Sequence, residues 1–263
     1  MITKGYVIAT PGKLRKNIGP LSANYNDIKF GDMFLGARQT RIIKIHNTKE
    51  DAMYISLASK KDGIDIEIEP DILFPANYGE LVIHFNSGNR NFGKITDMIQ
   101  LNIEFAGKQY VEELFFNANI IEDFSALTLE EKANPPIISV DNKTLILKDL
   151  NPEELRTKVI EIENKGKRDL YIRNIQTIDD RFLIAPSKFV VGPGKKESFN
   201  ITVTPDHGVS RIKSIITIIS NDPEHSIIDF TIIATVNQPE GDSSNNLKIK
   251  INIEKAKSMI QNP

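Results

Sequence analysis

The chain of 263 residues is 40% hydrophobic and 26% charged, with 15 glycines and 13 prolines, a globular composition long enough for one large domain or two of about 100–150 residues. A net charge of -2 supplies no basic field for nucleic acid, and no apolar run approaches the roughly 18 residues that a membrane helix needs. With no cysteine, disulfides and thiolate metal sites are excluded.

Residues 1–25 hold one short apolar run, "YVIA", without the long apolar core and small-residue cleavage site of a signal peptide. The protein is therefore expected to be cytoplasmic or to have had an export signal removed. "TPGKLRKNIG" (10–19) contains Gly-Lys but not the G-x-x-x-x-G-K-[ST] spacing of a phosphate cradle. The segment 1–25 reads as the last strand of a preceding domain or as an arm packing on the domain that begins at residue 26.

From residue 26 to 121 the pattern is that of strands. Isoleucine is frequent, and β-branched residues suit a pleated, half-buried surface. In "DGIDIEIEPD" (62–71), Asp65, Glu67 and Glu69 fall on one face and Ile64, Ile66 and Ile68 on the other. Three carboxylates suggest Ca²⁺, but alternate strand residues lie about 7 Å apart and the spacing is not that of an EF-hand, so the expectation is a solvated acidic stripe. Residues 122–135 form the connection. Thr128 and Glu131 have capping-box spacing, predicting a helical turn over 129–132, and Pro135 and Pro136 force an extended exit. A short, fairly stiff linker holding the domains to a narrow range of angles is expected.

The second half repeats the first. "IIKIHNTKEDAMYI" (42–55) lies over "VIEIENKGKRDLYI" (159–172) at a shift of 117, with Asn47 on Asn164 and Tyr54 on Tyr171. "PANYGELVIHFN" (75–86) lies over "PGKKESFNITVT" (193–204) at 118, and "FGKITDMIQL" (92–101) over "VSRIKSIITI" (209–218) at 117. Strands with period-2 alternation, turn residues such as "NKGKRD" and "VGPGKK", and almost no helical periodicity predict an all-β fold. It consists of two tandem immunoglobulin-like sandwiches, 26–121 and 136–238. Within the second, "IISNDPEHSIIDFTIIATV" (218–236) interrupts two strands with Ser220, Asn221, Asp222 and Pro223. Asn and Asp side chains bond their own backbone two residues on, and proline fixes φ, so these four residues read as a structural turn.

Residues 239–263 are expected to be a flexible segment followed by a strand and a helical turn. In "LKIKINI" (247–253), Leu247, Ile249, Ile251 and Ile253 alternate strictly with polar residues. Such a strand either folds back on the second domain or adds to an exposed sheet edge, its own or a neighbour's. The four histidines, His46, His84, His207 and His225, lack zinc-site spacing and read as surface or turn residues. "GPGKK" (192–196) is a turn before a strand, and no G-x-S-x-G elbow occurs. With no Trp and only 6 Tyr, aromatic platforms for glycans are disfavoured.

"IKFGDMFLGARQTRIIKIHNT", "VIEIENKGKRDLYI", "FVVGPGKKESFNITVTP" and "IISNDPEHSIIDFTIIATV" together resemble a large Bacteroidetes domain-of-unknown-function family of immunoglobulin-like domains. That family is related to ASH/hydin-type and major-sperm-protein-like domains. The resemblance spans about 26–121 and 136–236, most of the chain, and the "NDP" block of the second copy is its most specific part. Many members carry Cys-Gly-Cys after the "PLxI" strand; its absence here means that no metal or redox role through those cysteines carries over. The first copy has "EFAGKQ" (104–109) where the second has "SNDP".

The resemblance implies a sandwich of about seven strands and a non-catalytic adhesive or scaffolding role in an exported protein. The expected function is protein–protein interaction at a bacterial cell envelope, with no cofactor, metal or nucleic acid. An unidentified protein partner and self-association through exposed sheet edges are expected. The location is periplasmic or on the cell surface, the cytoplasm being left open. The alternatives are a periplasmic chaperone-like protein of two domains and a glycan-binding accessory protein of a polysaccharide system.

Overall fold

The structure is a computed structural model and describes residues 14–59 and 62–237. It divides into two compact units, Met1–Ala126 and Leu127–Pro263.

The strands of the first unit are β1 (Lys16–Ile18), β2 (Leu21–Ala23), β3 (Asp27–Phe34), β4 (Arg38–His46) and β5 (Met53–Leu57), followed by β6 (Ile64–Glu69), β7 (Ile72–Leu73), β8 (Tyr78–Asn86), β9 (Gly93–Phe105) and β10 (Lys108–Ile121). They form one sheet of order β1-β2-β4-β8-β6 and a second of order β3-β10-β9-β5-β7. The alternation read in the sequence sets which side faces inward. In β8, Leu81, Ile83 and Phe85 are buried while Glu80, Val82 and His84 face outward. Between the sheets, Phe30, Phe85 and Phe116 meet with ring centroids 5.0–6.2 Å apart.

Residues 16–23, assigned from sequence to the segment 1–25, form the hairpin β1–β2. Its inner strand pairs with β4 at Ala23–Ile45, burying Ile18, Leu21 and Ala23. This part of the segment thus packs on the first domain and extends its sheet.

The second unit opens with a short helix α1 (Leu129–Ala133), capped as expected: the Glu131 amide donates to Thr128 Oγ1, and the Thr128 amide donates to Glu131. Its strands are β11 (Ile138–Ser139), β12 (Thr144–Leu150), β13 (Arg156–Asn164), β14 (Leu170–Gln176) and β15 (Phe182–Ala185), then β16 (Phe189–Val191), β17 (Lys196–Val203), β18 (Arg211–Ser220) and β19 (Ile227–Val236). The sheet orders are β11-β13-β17-β15 and β12-β19-β18-β14-β16. Among the described residues this is, strand for strand, the first unit without β1. In both, the outermost strand of the larger sheet runs parallel to the last strand, β3 on β10 and β12 on β19, while the other pairs are antiparallel. The protein is all-β, two sandwiches joined by a short, partly helical connection.

Candidate interaction edges

The turn after β18 does more than reverse the chain. Asn221 Oδ1 accepts the Tyr171 amide at 2.8 Å, and Asn221 Nδ2 donates to the Asp169 carbonyl at 3.1 Å, fixing the corner to β14. Asp222 is 1% exposed. One of its oxygens accepts the Ile138 amide of β11 at 3.0 Å; the other accepts the Glu224 and His225 amides at 2.9 and 3.1 Å. Ser220 Oγ accepts the Asp222 amide, and Pro223 comes next in the chain. A buried carboxylate with three backbone donors is a stable way to hold a charge away from water. The corner therefore clasps both sheets of the second domain.

Sequence reasoning passed over a second device. Asn47 and Asn164, one repeat apart, are both fully buried. Asn47 Nδ2 donates to the Asp51 and Leu73 carbonyls, each at 2.8 Å, and Asn164 Nδ2 does the same to Arg168 and Val191. Their Oδ1 atoms accept the Lys49 and Gly166 amides at 2.9 Å. Each asparagine thus ties the end of a strand in one sheet to β7 or β16 in the other. Their direct superposition in the repeat was the signal. In the second domain the loop after Asn164 also straps the incoming chain: the Lys165 amide donates to the Ile137 carbonyl at 2.8 Å and the Lys167 amide to Pro135 at 3.1 Å. A Cβ at Gly166 would lie 2.3 Å from the Pro135 carbonyl oxygen, so this approach requires glycine.

The four histidines are dispersed. His46 stacks on Tyr78 at 4.0 Å, His84 bonds Thr40 Oγ1 at 2.8 Å, His207 lies 3.1 Å from Glu153, and His225 lies 3.7 Å from Asp222. Among the described residues no group of three or more His, Asp or Glu converges to hold a metal ion. Asp65, Glu67 and Glu69 lie exposed along β6. Half-buried Asp179 receives two bonds from the Arg181 guanidinium, at 2.8 and 2.7 Å, which hold its carboxyl below the usual range. No helix among the described residues is long and apolar enough to cross a membrane. Leu247, Ile249, Ile251 and Ile253 lie outside the described residues.

What remains open are sheet edges. On β3, Arg41 covers the backbone: its Nε and Nη2 donate to the Lys29 and Phe30 carbonyls at 2.9 and 3.1 Å, and its guanidinium sits 5.4 Å from the Phe30 ring. Among the described residues, strand β6 has a neighbour, β8, on one side only. Gly63 accepts the Asn86 amide, and Ile64 faces Phe85 in the register. The antiparallel alternation then turns the amides and carbonyls of Ile64, Ile66 and Ile68 away from β8. Beside this edge runs an open groove of about 440 Å³, lined on its apolar side by Leu57, Ile64 and Ile66 and on its polar side by Arg38 and Glu67. The matching strand of the second domain, β15, has four residues against six and exposes Leu183 where β6 has Asp65.

Residues 136–233 match the family of HYDIN/CFA65/VesB-like, Ig-like domains, in accord with the resemblance read from the sequence. The chain is similar to the crystal structure of a protein of unknown function from Porphyromonas gingivalis W83, with 21% identity over 82% of this chain and 100% of that one and a TM-score of 0.61. It is also similar to an ASH/PapD-like domain of human CEP192, with 15% identity over 45% of this chain and 99% of that one and a TM-score of 0.35. No curated protein matches.

Proposed function

We propose that the protein is a non-enzymatic interaction or scaffolding module of a bacterial cell envelope, capturing a protein partner by strand addition at a sheet edge. The observation that carries this reading is β6, whose outward backbone groups at Ile64, Ile66 and Ile68 form a template for a further strand beside an open groove. The Ig-like fold of both domains supports a binding role, and the family resemblance in the sequence supports the envelope location.

The test is Ile66→Pro. It removes an outward amide while leaving the bonds to β8 in place, a position at which an edge strand tolerates proline. Cross-linking of the chain in envelope fractions is expected to yield a partner adduct that this variant loses while its circular dichroism is unchanged. An adduct that persists in the variant contradicts recognition through β6. Fractionation that finds the protein wholly in the cytosol contradicts the envelope location.

A further inference from the structure

The edge at β6 has a sequence signature as well as a shape. Its outer face is acidic at Asp65, Glu67 and Glu69, and its inner face, Ile64, Ile66 and Ile68, packs against the core. Ile66 and Ile68 are only half-buried, because no strand lies beyond them among the described residues. The chain itself contains the complement: residues 247–253, "LKIKINI", alternate apolar residues with Lys248 and Lys250.

We propose that the β6 edge is the docking site for residues 247–253 of a second copy of this chain. An antiparallel strand would set Lys248 opposite Glu69 and Lys250 opposite Glu67. In that register Ile249, Ile251 and Ile253 lie beside Ile68, Ile66 and Ile64. Both alternations have period 2, so charge pairing and apolar burial are satisfied by the same register, and a one-residue slip loses both. The other open edge of comparable position, β15, has no acidic residue at all and is shorter.

A second copy can present this segment unconstrained by its own spacer 237–246, whose ten residues span at most about 33–36 Å. Each copy carries one donor segment and one acceptor edge, so association closes as a reciprocal dimer or extends head to tail.

This inference rests on the reading of β6 as a recognition edge. Sedimentation velocity on the full chain tests it. Concentration-dependent association is expected. The pair Glu67→Lys with Glu69→Lys, or the pair Lys248→Glu with Lys250→Glu, is expected to weaken association about tenfold. All four substitutions together are expected to restore it. A synthetic peptide of residues 247–253 added to the unaltered chain is expected to dissociate the assembly. A chain that stays monomeric at every concentration overturns the inference, as does association indifferent to either charge reversal, loss without rescue in the combined variant, or a peptide that fails to compete. If the chain is monomeric yet Ile66→Pro still abolishes capture of another protein, self-association falls and the edge-recognition reading stands.

Discussion

Apart from the added β1, the two domains share their strand pairings but fill the fold differently. The first packs Phe30, Phe85 and Phe116 where the second has Leu147, Val203 and Ile232, Phe30 and Leu147 matching by the 117-residue shift and the others by strand register. The second has Phe199 and Phe230 where the first has Leu81 and Leu114. Aromatic volume has moved along matching strands, from Phe85 of β8 to Phe199 of β17 and from Phe116 of β10 to Phe230 of β19, and the topology has not noticed. Pattern and total volume specify the fold; the identities decide how the interior is filled.

The larger divergence is at one end. In the first domain, β9 and β10 run on as a hairpin closed by Ala106 and Gly107, both at positive φ, as a two-residue turn of the primed type requires. There Tyr54 faces Glu104 as a backbone pair. In the second domain, Tyr171 meets Asn221 instead, and an amide side chain supplies the acceptor for its N–H. The hairpin is replaced by a corner that reaches across to β11.

The largest loss is expected from Asp222→Ala. Three backbone amides lose their acceptor, that of Ile138 in a buried setting, and the second domain is expected to lose about 3 kcal/mol. Calorimetry should show its transition move down while that of the first domain stays in place. Next come Asn47→Ala and Asn164→Ala. Each is expected to destabilise its own domain by about 2–3 kcal/mol, since one buried and one partly buried carbonyl lose their donor in each case. Chemical denaturation that finds one asparagine dispensable would show that the two locks are not equivalent.

Gly166→Ala is expected to cost about 1–2 kcal/mol, by pushing residues 135–137 off the loop. Faster hydrogen exchange of the Lys165 and Lys167 amides would report it, whereas Lys49→Ala, at the corresponding position of the first domain, should leave exchange there unchanged. The smallest effect is that of pH. The Arg181 guanidinium lowers the Asp179 carboxyl, so the pair contributes stability above about pH 4, the ordinary carboxylate pKa, and loses it as the pH falls through the folded value. The acid-side decline of the second domain's melting temperature should flatten in Asp179→Asn.

Alternation in segments such as "SFNITVT" made the strands legible, and the 117-residue shift made the repetition legible. The helical turn could be read from Thr128 and Glu131 because a capping box is a local device. The clasp at Asp222 could not, because its partner Ile138 lies 84 positions away and spacing carries no trace of such a bond. For the same reason Asn47 and Asn164 were visible as matching letters but not as locks. Residues 16–23 escaped assignment to the first domain because, among the described residues, its second copy has only β11 in the place of that hairpin.

The parallel pairing of β12 with β19 also sets how the second domain bears tension. The chain enters shortly before the start of β12 and leaves at the end of β19, and the two strands point the same way. A pull on the two ends therefore slides one strand along the other, and the rungs from Thr144–Thr231 to Leu150–Val236 carry the load together rather than one at a time. A tether built from such domains resists extension without any cross-link.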